Sequence, residues 1–403
     1  MFGDTKSTSG RRVIGLPKRL RALLREQRRY RLRPGVLAVA ALISEWNRCR
    51  FLWNEAVHQS KSGRKPTFVT LSKLLTQGRR QHPWLREGSQ VAQQQTLRNY
   101  ALSLGQSFKV KGRGRPKFKA QKKARPSLEY TTNGFNIRDG RLALAKGIVI
   151  PVVWSRELPS VPTSVRVHRE PDGNWYASFV VEREVQPAPP ARGGIGVDWG
   201  VTVTASTTNP LFDLPHSGHR RRAAGAVAKA QRKMARRKRT NKRQSHGYVR
   251  ARHEAAVLHQ KAARRVEYET RVWAKRIVDA HQLVAVEDFK PTFLAKSRMA
   301  RKAQDAAIGA AKRELIQRGQ RAGREVVLVQ PAYTTMTCSR CFARAKQRLG
   351  LGERTFLCWA CGFTADRDMN AARVILAVAE RGHRSVDGIR HLWPLPEEGA
   401  CAA

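Results

Sequence analysis

The stretch Gly194-Ile-Gly-Val-Asp198-Trp-Gly200-Val-Thr-Val-Thr-Ala205 decides the fold of the C-terminal half. It predicts an apolar strand, a tight glycine turn and a second strand, with the Asp198 carboxylate at the end of the first strand. The later run His281-Gln-Leu-Val-Ala-Val-Glu287 predicts another buried strand that ends in a carboxylate. Helical patterns lie on both sides of that run, and residues 325–329 predict a further strand. Strands that alternate with helices indicate an α/β sheet.

A third acidic segment, Asp366-Arg-Asp-Met-Asn, opens a helix-like apolar run. Carboxylates at strand ends and at a helix start can gather two divalent metal ions, which activate a water and stabilise the leaving oxygen of a phosphodiester. We therefore predict that Asp198, Glu287 and Asp368 meet in space. Taken singly, each could be a turn residue, a salt-bridge partner or a helix cap, and Asp288 and Asp366 are neighbouring alternatives.

Four of the six cysteines form two Cys-x-x-Cys pairs with 16 residues between the pairs. They are Cys338, Cys341, Cys358 and Cys361. Four thiolates at this spacing close a tetrahedral zinc site with no open position, so we predict one Zn²⁺ with a structural role. The other two cysteines stand alone, which argues against a disulfide framework and indicates a reducing compartment.

The composition is strongly basic. The chain has 78 Lys and Arg against 30 Asp and Glu, a net charge of +48, so a polyanion is expected among its partners. Because 41% of the residues are apolar, a disordered basic tail is excluded. No apolar run approaches the roughly 18 residues of a membrane span, and residues 1–10 lack the apolar core of a secretory signal. We expect a cytoplasmic, nucleoid-associated protein of a bacterium or archaeon, without a membrane partner.

Residues 220–243 concentrate the charge, since 12 of these 24 residues are Lys or Arg and none is acidic. Like charges at helical spacing destabilise a free helix, and a phosphate backbone beside them removes that penalty. We therefore predict nucleic-acid contacts here. The candidate residues are Arg232, Arg236, Arg239 and Arg243.

The N-terminal half changes character twice. Residues 36–59 and 89–107 show helical periodicity, and residues 108–125 predict a flexible, phosphate-seeking loop. Residues 128–184 then show short alternating segments separated by turns, which predict a small antiparallel barrel or sandwich. A proline-rich linker at 187–190 places a domain boundary near residue 190.

These motifs together resemble the TnpB family, transposon-encoded RNA-guided nucleases from which compact type V CRISPR effectors derive. The resemblance rests on the Gly194–Gly200 run, the strand ending in Glu287, the two cysteine pairs and the Asp366-Arg-Asp-Met-Asn-Ala-Ala segment. It covers about residues 28 to 380. A departure is Phe342 after the first cysteine pair, where the family often has glycine.

The resemblance implies a multidomain α+β protein that cuts DNA under the guidance of an RNA. Asp198, Glu287 and Asp368 would hold two Mg²⁺ ions in a single RuvC nuclease site, with Asp368 selected over Asp366 by the Asp-x-Asn spacing. The partners would be a guide RNA and double-stranded target DNA beside a short motif, and the protein would be a monomer or a homodimer.

The implied domains follow the family's order. A helical recognition lobe interrupts a wedge β-barrel, and a zinc-binding insert interrupts an RNase H-like RuvC domain. The expected ranges are a disordered leader at 1–10, the wedge barrel at 11–35 and 120–190, the recognition lobe at 36–119, the RuvC domain at 191–334 and 364–382, the zinc insert at 335–363 and a loose tail at 383–403.

Three alternatives remain open on the sequence alone. A compact type V CRISPR effector would share the chemistry but take its guide from a CRISPR array. A structural RNA-binding protein would use the same carboxylates only in salt bridges and would need no divalent metal. A DDE-type transposase would join DNA ends without RNA.

Overall fold

A computed structural model describes residues 23–61, 66–185, 188–240, 242–291, 297, 299–347, 349–350 and 352–390. The expected leader at 1–10, the first residues of the expected barrel and the end of the expected tail lie outside these ranges. Within them the chain is α+β, with one seven-stranded sheet, one five-stranded sheet and a two-stranded hairpin.

The seven-stranded sheet is antiparallel and almost closes on itself. Its strand order is β2-β6-β7-β1-β5-β4-β3. The two edge strands, β2 and β3, are joined by only residues 132–134, so the two edges of the sheet lie close together. The strands are β1 (Leu23–Leu32), β2 (Ser127–Thr131), β3 (Phe135–Arg138), β4 (Arg141–Leu144), β5 (Ile148–Val153), β6 (Ser164–Arg169) and β7 (Trp175–Glu184). The near-barrel expected from the sequence is therefore present.

Strand alternation fills the interior of this barrel. Leu128 and Tyr130 of β2, and Val165 and Val167 of β6, are all buried, while their neighbours face outward. A slip of one residue would turn these apolar side chains outward, so the buried face defines the register of the strands.

Residues 30–34 predict only a short strand that ends at a proline. Strand β1 is longer and pairs with β7 along its whole length. The sequence pattern does not show the whole of β1, because its half-buried positions carry charged side chains instead of apolar ones. Glu26 forms ion pairs with Arg28 and Arg321, and Arg29 forms one with Glu170.

Four helices lie between β1 and β2 in sequence. They are α1 (Val36–Lys61), α2 (Phe68–Gln81), α3 (Pro83–Arg86) and α4 (Gln90–Lys109). Leucines of all four helices and Tyr100 form their common core. The sequence predicts α1 and α4, but not α2, whose apolar face is only two buried leucines wide.

The five-stranded sheet forms the second core. Its order is β10-β9-β8-β11-β12, with β9 and β10 antiparallel to their neighbours and β8, β11 and β12 parallel. The strands are β8 (Gly194–Trp199), β9 (Val203–Thr207), β10 (Leu214–Pro215), β11 (Leu283–Glu287) and β12 (Glu325–Val329). The predicted strand pair, the Glu287 strand and the 325–329 strand are confirmed.

Helices cover this sheet and extend from it. They are α5 (His219–Arg237), α6 (His246–Ala280), α7 (Ala300–Ala306), α8 (Ile308–Arg321), α9 (Arg367–Glu380) and α10 (Asp387–Arg390). Trp273 and Ile277 of α6 and Leu315 of α8 join one core, and Val374 and Val378 of α9 join another.

Residues 335–363 and the hairpin of β13 (Thr355–Leu357) and β14 (Thr364–Asp366) stand between β12 and α9. The expected loose tail needs a correction in its described part. Val386 and Ile389 are buried against α9 and β12, and Arg344 forms an ion pair with Asp387. Residues 386 and 389 are thus packed, because they supply apolar side chains to the core beneath α9.

Candidate metal centres

Asp198 and Glu287 lie side by side at the C-terminal ends of two neighbouring inner strands of the five-stranded sheet. Strands β8 and β11 are parallel and in register, with Val197 opposite Val286, so the next residue of each strand emerges at the same edge. Each of the two carboxylates is only 6% exposed. Trp199 Nε1 donates a hydrogen bond to the Glu287 carbonyl oxygen at 3.0 Å, which ties the two strand ends together.

The two carboxyl groups share a buried space in which the charges of Arg367 and Lys312 only partly offset their own. Burial, then the charges of Glu287 and Asp368, raise the pKa of Asp198 well above its usual range. Burial also raises the pKa of Glu287 to about 7, although hydrogen bonds from Trp199, Thr334 and Asp198 and the charge of Lys312 oppose that rise. In the described part of the chain neither carboxylate has an ion pair within 4 Å. Buried like charges of this kind favour the uptake of protons or of a divalent cation.

Asp368 approaches this pair from the first turn of α9. Helix α9 packs directly on β8, because Gly196 has no side chain; a Cβ there would lie 1.9 Å from the Ala372 carbonyl oxygen. Two arginines hold the Asp368 carboxylate: Arg354 Nη1 lies 3.1 Å from Oδ2, and Arg367 Nε lies 3.7 Å from Oδ1.

The neighbouring acidic residues have other contacts. Asp366 is the N-cap of α9, and its Oδ1 accepts hydrogen bonds from the backbone N–H groups of Asp368 and Met369 at 3.0 and 2.9 Å. Asp288 forms an ion pair with Lys312. The helix cap that the sequence left open for Asp368 is therefore supplied by Asp366.

The carboxylates converge less tightly than a bound metal would require. A group of side chains close enough to share one ion is found, among the described residues, at the cysteines and not at the carboxylates. Arg354 also lies at this site, since its guanidinium contacts Asp368 and donates to Thr202 Oγ1 at 3.5 Å. Sequence patterns do not single out Arg354, which lies one residue before the β13–β14 hairpin that pairs back to residue 366.

The four cysteines, in contrast, meet as expected. Their sulfur atoms all lie within 4.8 Å of one another, with Cys338 and Cys361 3.8 Å apart and Cys341 and Cys358 3.6 Å apart. A tetrahedral zinc with Zn–S bonds of about 2.3 Å places its sulfurs about 3.8 Å apart. The donor set and its spacing therefore fit Zn²⁺.

Asn370 connects the cysteine site to the carboxylate site. It is fully buried, its Nδ2 donates to Thr337 O at 2.8 Å, and its Oδ1 accepts from the Ser339 N–H at 2.9 Å. The segment that begins the first cysteine pair is thereby fixed to the same helix turn as Asp368. This explains physically why the sequence places Asn two residues after Asp.

The basic segment also has a definite form. Helix α5 ends at Arg237, so Arg232 and Arg236 lie on the helix, whereas Arg239 and Arg243 lie on the loop after it. All four side chains are exposed. None has a carboxylate partner within 4 Å in the portion described, so their charges are available to a polyanion.

Two family models match parts of the chain that contain the candidate site residues. Residues 178–298, which include Asp198 and Glu287, match the family model described as "Probable transposase". Residues 309–375, which include the four cysteines and Asp368, match the model "Cas12f1-like, TNB domain". A protein of Streptomyces pristinaespiralis that is named as an RNA-guided DNA endonuclease is 32% identical over 377 residues, 90% of this chain and 91% of the relative.

The chain belongs to the TnpB family. InsQ of Escherichia coli (strain K12), also named as an RNA-guided DNA endonuclease, is 25% identical over 411 residues, 94% of this chain and 98% of InsQ. The Cas12f1 chain in a cryo-EM structure of a Cas12f1–sgRNA–target DNA complex shares the fold, with a TM-score of 0.53 at 12% identity, over 88% of this chain and 99% of that one. No helix in the described ranges is long and apolar enough to cross a bilayer.

Proposed function

We propose that this protein is an RNA-guided DNA endonuclease that cuts its target at a single, metal-dependent nuclease site. The observation that carries the proposal is that Asp198 and Glu287 are buried together and, among the described residues, have no ion pair within 4 Å in a chain of net charge +48. Arginines are abundant enough to neutralise any carboxylate that serves only the fold. A pair kept clear of them is better explained as a site for divalent cations.

The sheet around the pair supports assignment to the RuvC type. In its order, β10-β9-β8-β11-β12, the first three strands are antiparallel to one another in turn, and β11 and β12 run parallel to β8. In our proposal this is an RNase H-like sheet, with carboxylates on the first strand, the fourth strand and a later helix. The seven-stranded near-barrel is then the wedge domain, α1 to α4 the recognition lobe, and residues 335–363 the zinc insert.

Asp198, Glu287 and Asp368 would hold two Mg²⁺ ions. Bound Mg²⁺ supplies Lewis acidity for in-line attack of water on the phosphorus and for charge on the leaving oxygen. The protein's own contribution is to keep the carboxylates in place: β8 and β11 fix two of them, and the Asp366 cap fixes the helix turn that carries the third. Arg354 is half exposed beside Asp368. It would be free to contact a phosphate once the carboxylates bind the cations.

Four thiolates leave no open position for a substrate, so the Zn²⁺ we propose at the cysteines would be structural. It would hold the β13–β14 hairpin, which begins one residue after Arg354 and leads into Asp366. The guide RNA would pair with the target strand while the protein contacts backbone phosphates, and Arg232, Arg236, Arg239 and Arg243 are our candidates for such contacts.

The test is to purify the protein from cells that carry its native locus and to sequence the nucleic acid bound to it. We expect one discrete RNA with a structured part and a variable segment. Replacing the variable segment should redirect DNA cleavage to the matching new target. A mixture of ribosomal and messenger fragments, with no redirected cleavage, would contradict the proposal and favour a general RNA-binding protein.

The genomic source of that RNA separates the two nearest functions. An RNA from a transposon end supports a TnpB-type guide. An RNA from a repeat array supports a compact CRISPR effector, a candidate favoured by the shared fold of Cas12f1.

A further inference from the structure

The connection between α4 and β2 is basic and is tied to the helical bundle. Nine of residues 109–125 are Lys or Arg, and none is acidic. The sequence predicts a flexible loop here, but its centre is fixed to α1. Trp53 Nε1 donates a hydrogen bond to Lys117 O at 3.0 Å, and the Lys119 N–H donates to Asn54 Oδ1 at 2.8 Å.

The second anchor is reinforced on both sides of its peptide unit. Lys119 O accepts hydrogen bonds from Asn54 Nδ2 at 3.2 Å and from Arg50 Nη1 at 3.3 Å. Lys119 Nζ lies 3.4 Å from the centroid of the Trp53 ring, an arrangement in which the ring face attracts the cation. The backbone on each side of Phe118 is therefore held against α1.

Phe118 lies between these two anchors, and its side chain is 63% exposed. Its neighbour Lys119 contacts α1 through its side chain, whereas the Phe118 side chain is exposed. In the described part of the chain its ring has no aromatic or cation contact of its own. Phe118 is thus an exposed ring on an ordered main chain within a run of nine cations, a position from which it can cover an apolar face of a bound polyanion.

We propose that Phe118 is a stacking site for one unpaired nucleobase of a bound nucleic acid, an inference that rests on the proposed nucleic-acid-guided function. The charge of the segment selects the partner: Lys117 and the other cations of residues 109–125 attract phosphates and repel a basic protein surface. A base inside a duplex has both faces covered by its neighbours. The ring therefore takes a base from a single-stranded segment or a strand end.

The anchors also explain why one ring suffices. The main chain is already ordered in the free protein, so stacking does not have to immobilise the loop. Loss of one base–aromatic stack typically weakens single-strand binding about 10-fold. The shared chemistry, an unpaired base, can come from the guide RNA or from a DNA strand displaced by it.

The experiment uses the full-length chain with the RNA that purifies with it, with and without target DNA. Each complex is irradiated at short ultraviolet wavelength, and nucleotide adducts are mapped by mass spectrometry. Affinity for the RNA and for the complete target is measured for Phe118→Leu, which removes the ring but stays apolar, and Phe118→Trp, which keeps a ring. Tyr268→Leu, at an aromatic residue that is 69% exposed on α6, is the matched control.

We expect an adduct on Phe118, weaker binding by about 10-fold in Phe118→Leu, and binding within about twofold of wild type in Phe118→Trp and Tyr268→Leu. An adduct without DNA identifies RNA as the source, and an adduct only with DNA identifies the displaced strand. Unchanged affinity in Phe118→Leu with no adduct in either complex overturns the inference, as does a lower melting temperature of RNA-free Phe118→Leu, which means that the protein itself covers the ring. Guided cleavage by the wild type is assayed in parallel, so failure of the proposed function is seen separately.

Discussion

At the scale of single residues, the proposed nuclease chemistry rests on two buried carboxyl groups whose negative charges do not stabilise the fold. Asp198 and Glu287 are buried and close enough for one to hydrogen-bond to the other. Their pKa values are raised, which is the reverse of what salt-bridged carboxylates show. Sites of this kind trade stability for function.

Glu287→Gln should therefore stabilise the metal-free protein at neutral and higher pH. The pKa of Glu287 is about 7 against an ordinary 4.5, so the folded state binds the extra proton between these values. Its stabilising effect is complete below about pH 4.5 and is lost as the pH rises through about 7. At pH 8 in EDTA we expect Glu287→Gln to be more stable by about 2–3 kcal/mol, with the difference vanishing near pH 4.5.

Thermal unfolding across this pH range measures the effect, and Glu325→Gln on an exposed site of β12 is the control. A structural salt-bridge role makes the opposite prediction. If Glu287→Gln lowers the melting temperature at pH 8, the carboxylate serves the fold.

Sequence patterns could locate these residues but could not describe their surroundings. The strands that end in carboxylates at 198 and 287 are visible in the sequence, because an apolar run and the acidic residue at its end are local features. The contact of Arg354 with Asp368 depends on how a hairpin folds back over 14 residues, which no local pattern encodes. The residues alone left Asp366 and Asp368 open, the family resemblance selected Asp368, and the structure adds that Asp366 caps the start of α9.

At the scale of elements, one close contact between a helix and a strand assembles the carboxylate site. Gly196 lets α9 approach β8, and Asp368 reaches the site only because the helix lies that close. The contact is between main chains, so it leaves no room for adjustment of a side chain.

Gly196→Ala should therefore destabilise the protein by about 3 kcal/mol and abolish cleavage, because the new Cβ collides with the Ala372 carbonyl oxygen. Gly105→Ala in α4 is the control, since a Cβ there meets nothing within 4 Å. The control should be neutral or stabilising by about 0.5–1 kcal/mol. Denaturant unfolding and plasmid cleavage, measured on the same preparations, provide the comparison; equal stability of Gly196→Ala and wild type would contradict the packing argument.

Cys338→Ser should remove bound zinc and, with it, DNA cleavage, while binding of the RNA persists. Loss of one thiolate opens the tetrahedral site, and the hairpin that follows Arg354 loses its support. Elemental analysis of the purified protein is the measurement, with about one zinc per chain expected for wild type and for Cys49→Ala. Full zinc content in Cys338→Ser would show that the cysteines do not hold the metal.

Helices and strands were predictable where their apolar faces were complete, and not elsewhere. The long apolar periodicity of α1 and the run of β11 are examples of the first kind. Strand β1 and helix α2 were not predicted in full, because arginines occupy much of β1 and Thr, Lys, Gln and Arg side chains occupy much of α2. The packed residues 386 and 389 are too short a segment to show any period.

At the scale of the whole molecule, charge sets the partners. The net charge of +48 repels itself unless a polyanion neutralises it, and the exposed arginines of α5 and its loop project from the five-stranded sheet.

Replacing Arg232, Arg236, Arg239 and Arg243 together by Gln should lower the salt dependence of RNA binding. Each lost phosphate contact removes about 0.7–0.9 from the slope of log affinity against log salt, so the slope should fall by about 3. A variant with Gln at four other exposed arginines, Arg80, Arg86, Arg138 and Arg141, carries the same net charge and is the control. Equal slopes in the two variants would mean that the segment after α5 does not contact the phosphates.

The measurement that tests the central claim most directly is plasmid cleavage by Asp198→Ala, assembled with its RNA and supplied with Mg²⁺. We predict that it binds RNA and target DNA as tightly as the wild type but leaves both strands intact, because one of the three metal-binding carboxylates is gone. Wild-type protein should cut in Mg²⁺ and not in EDTA. Guided, Mg²⁺-dependent cleavage by Asp198→Ala at the wild-type rate would contradict the assignment of the nuclease site.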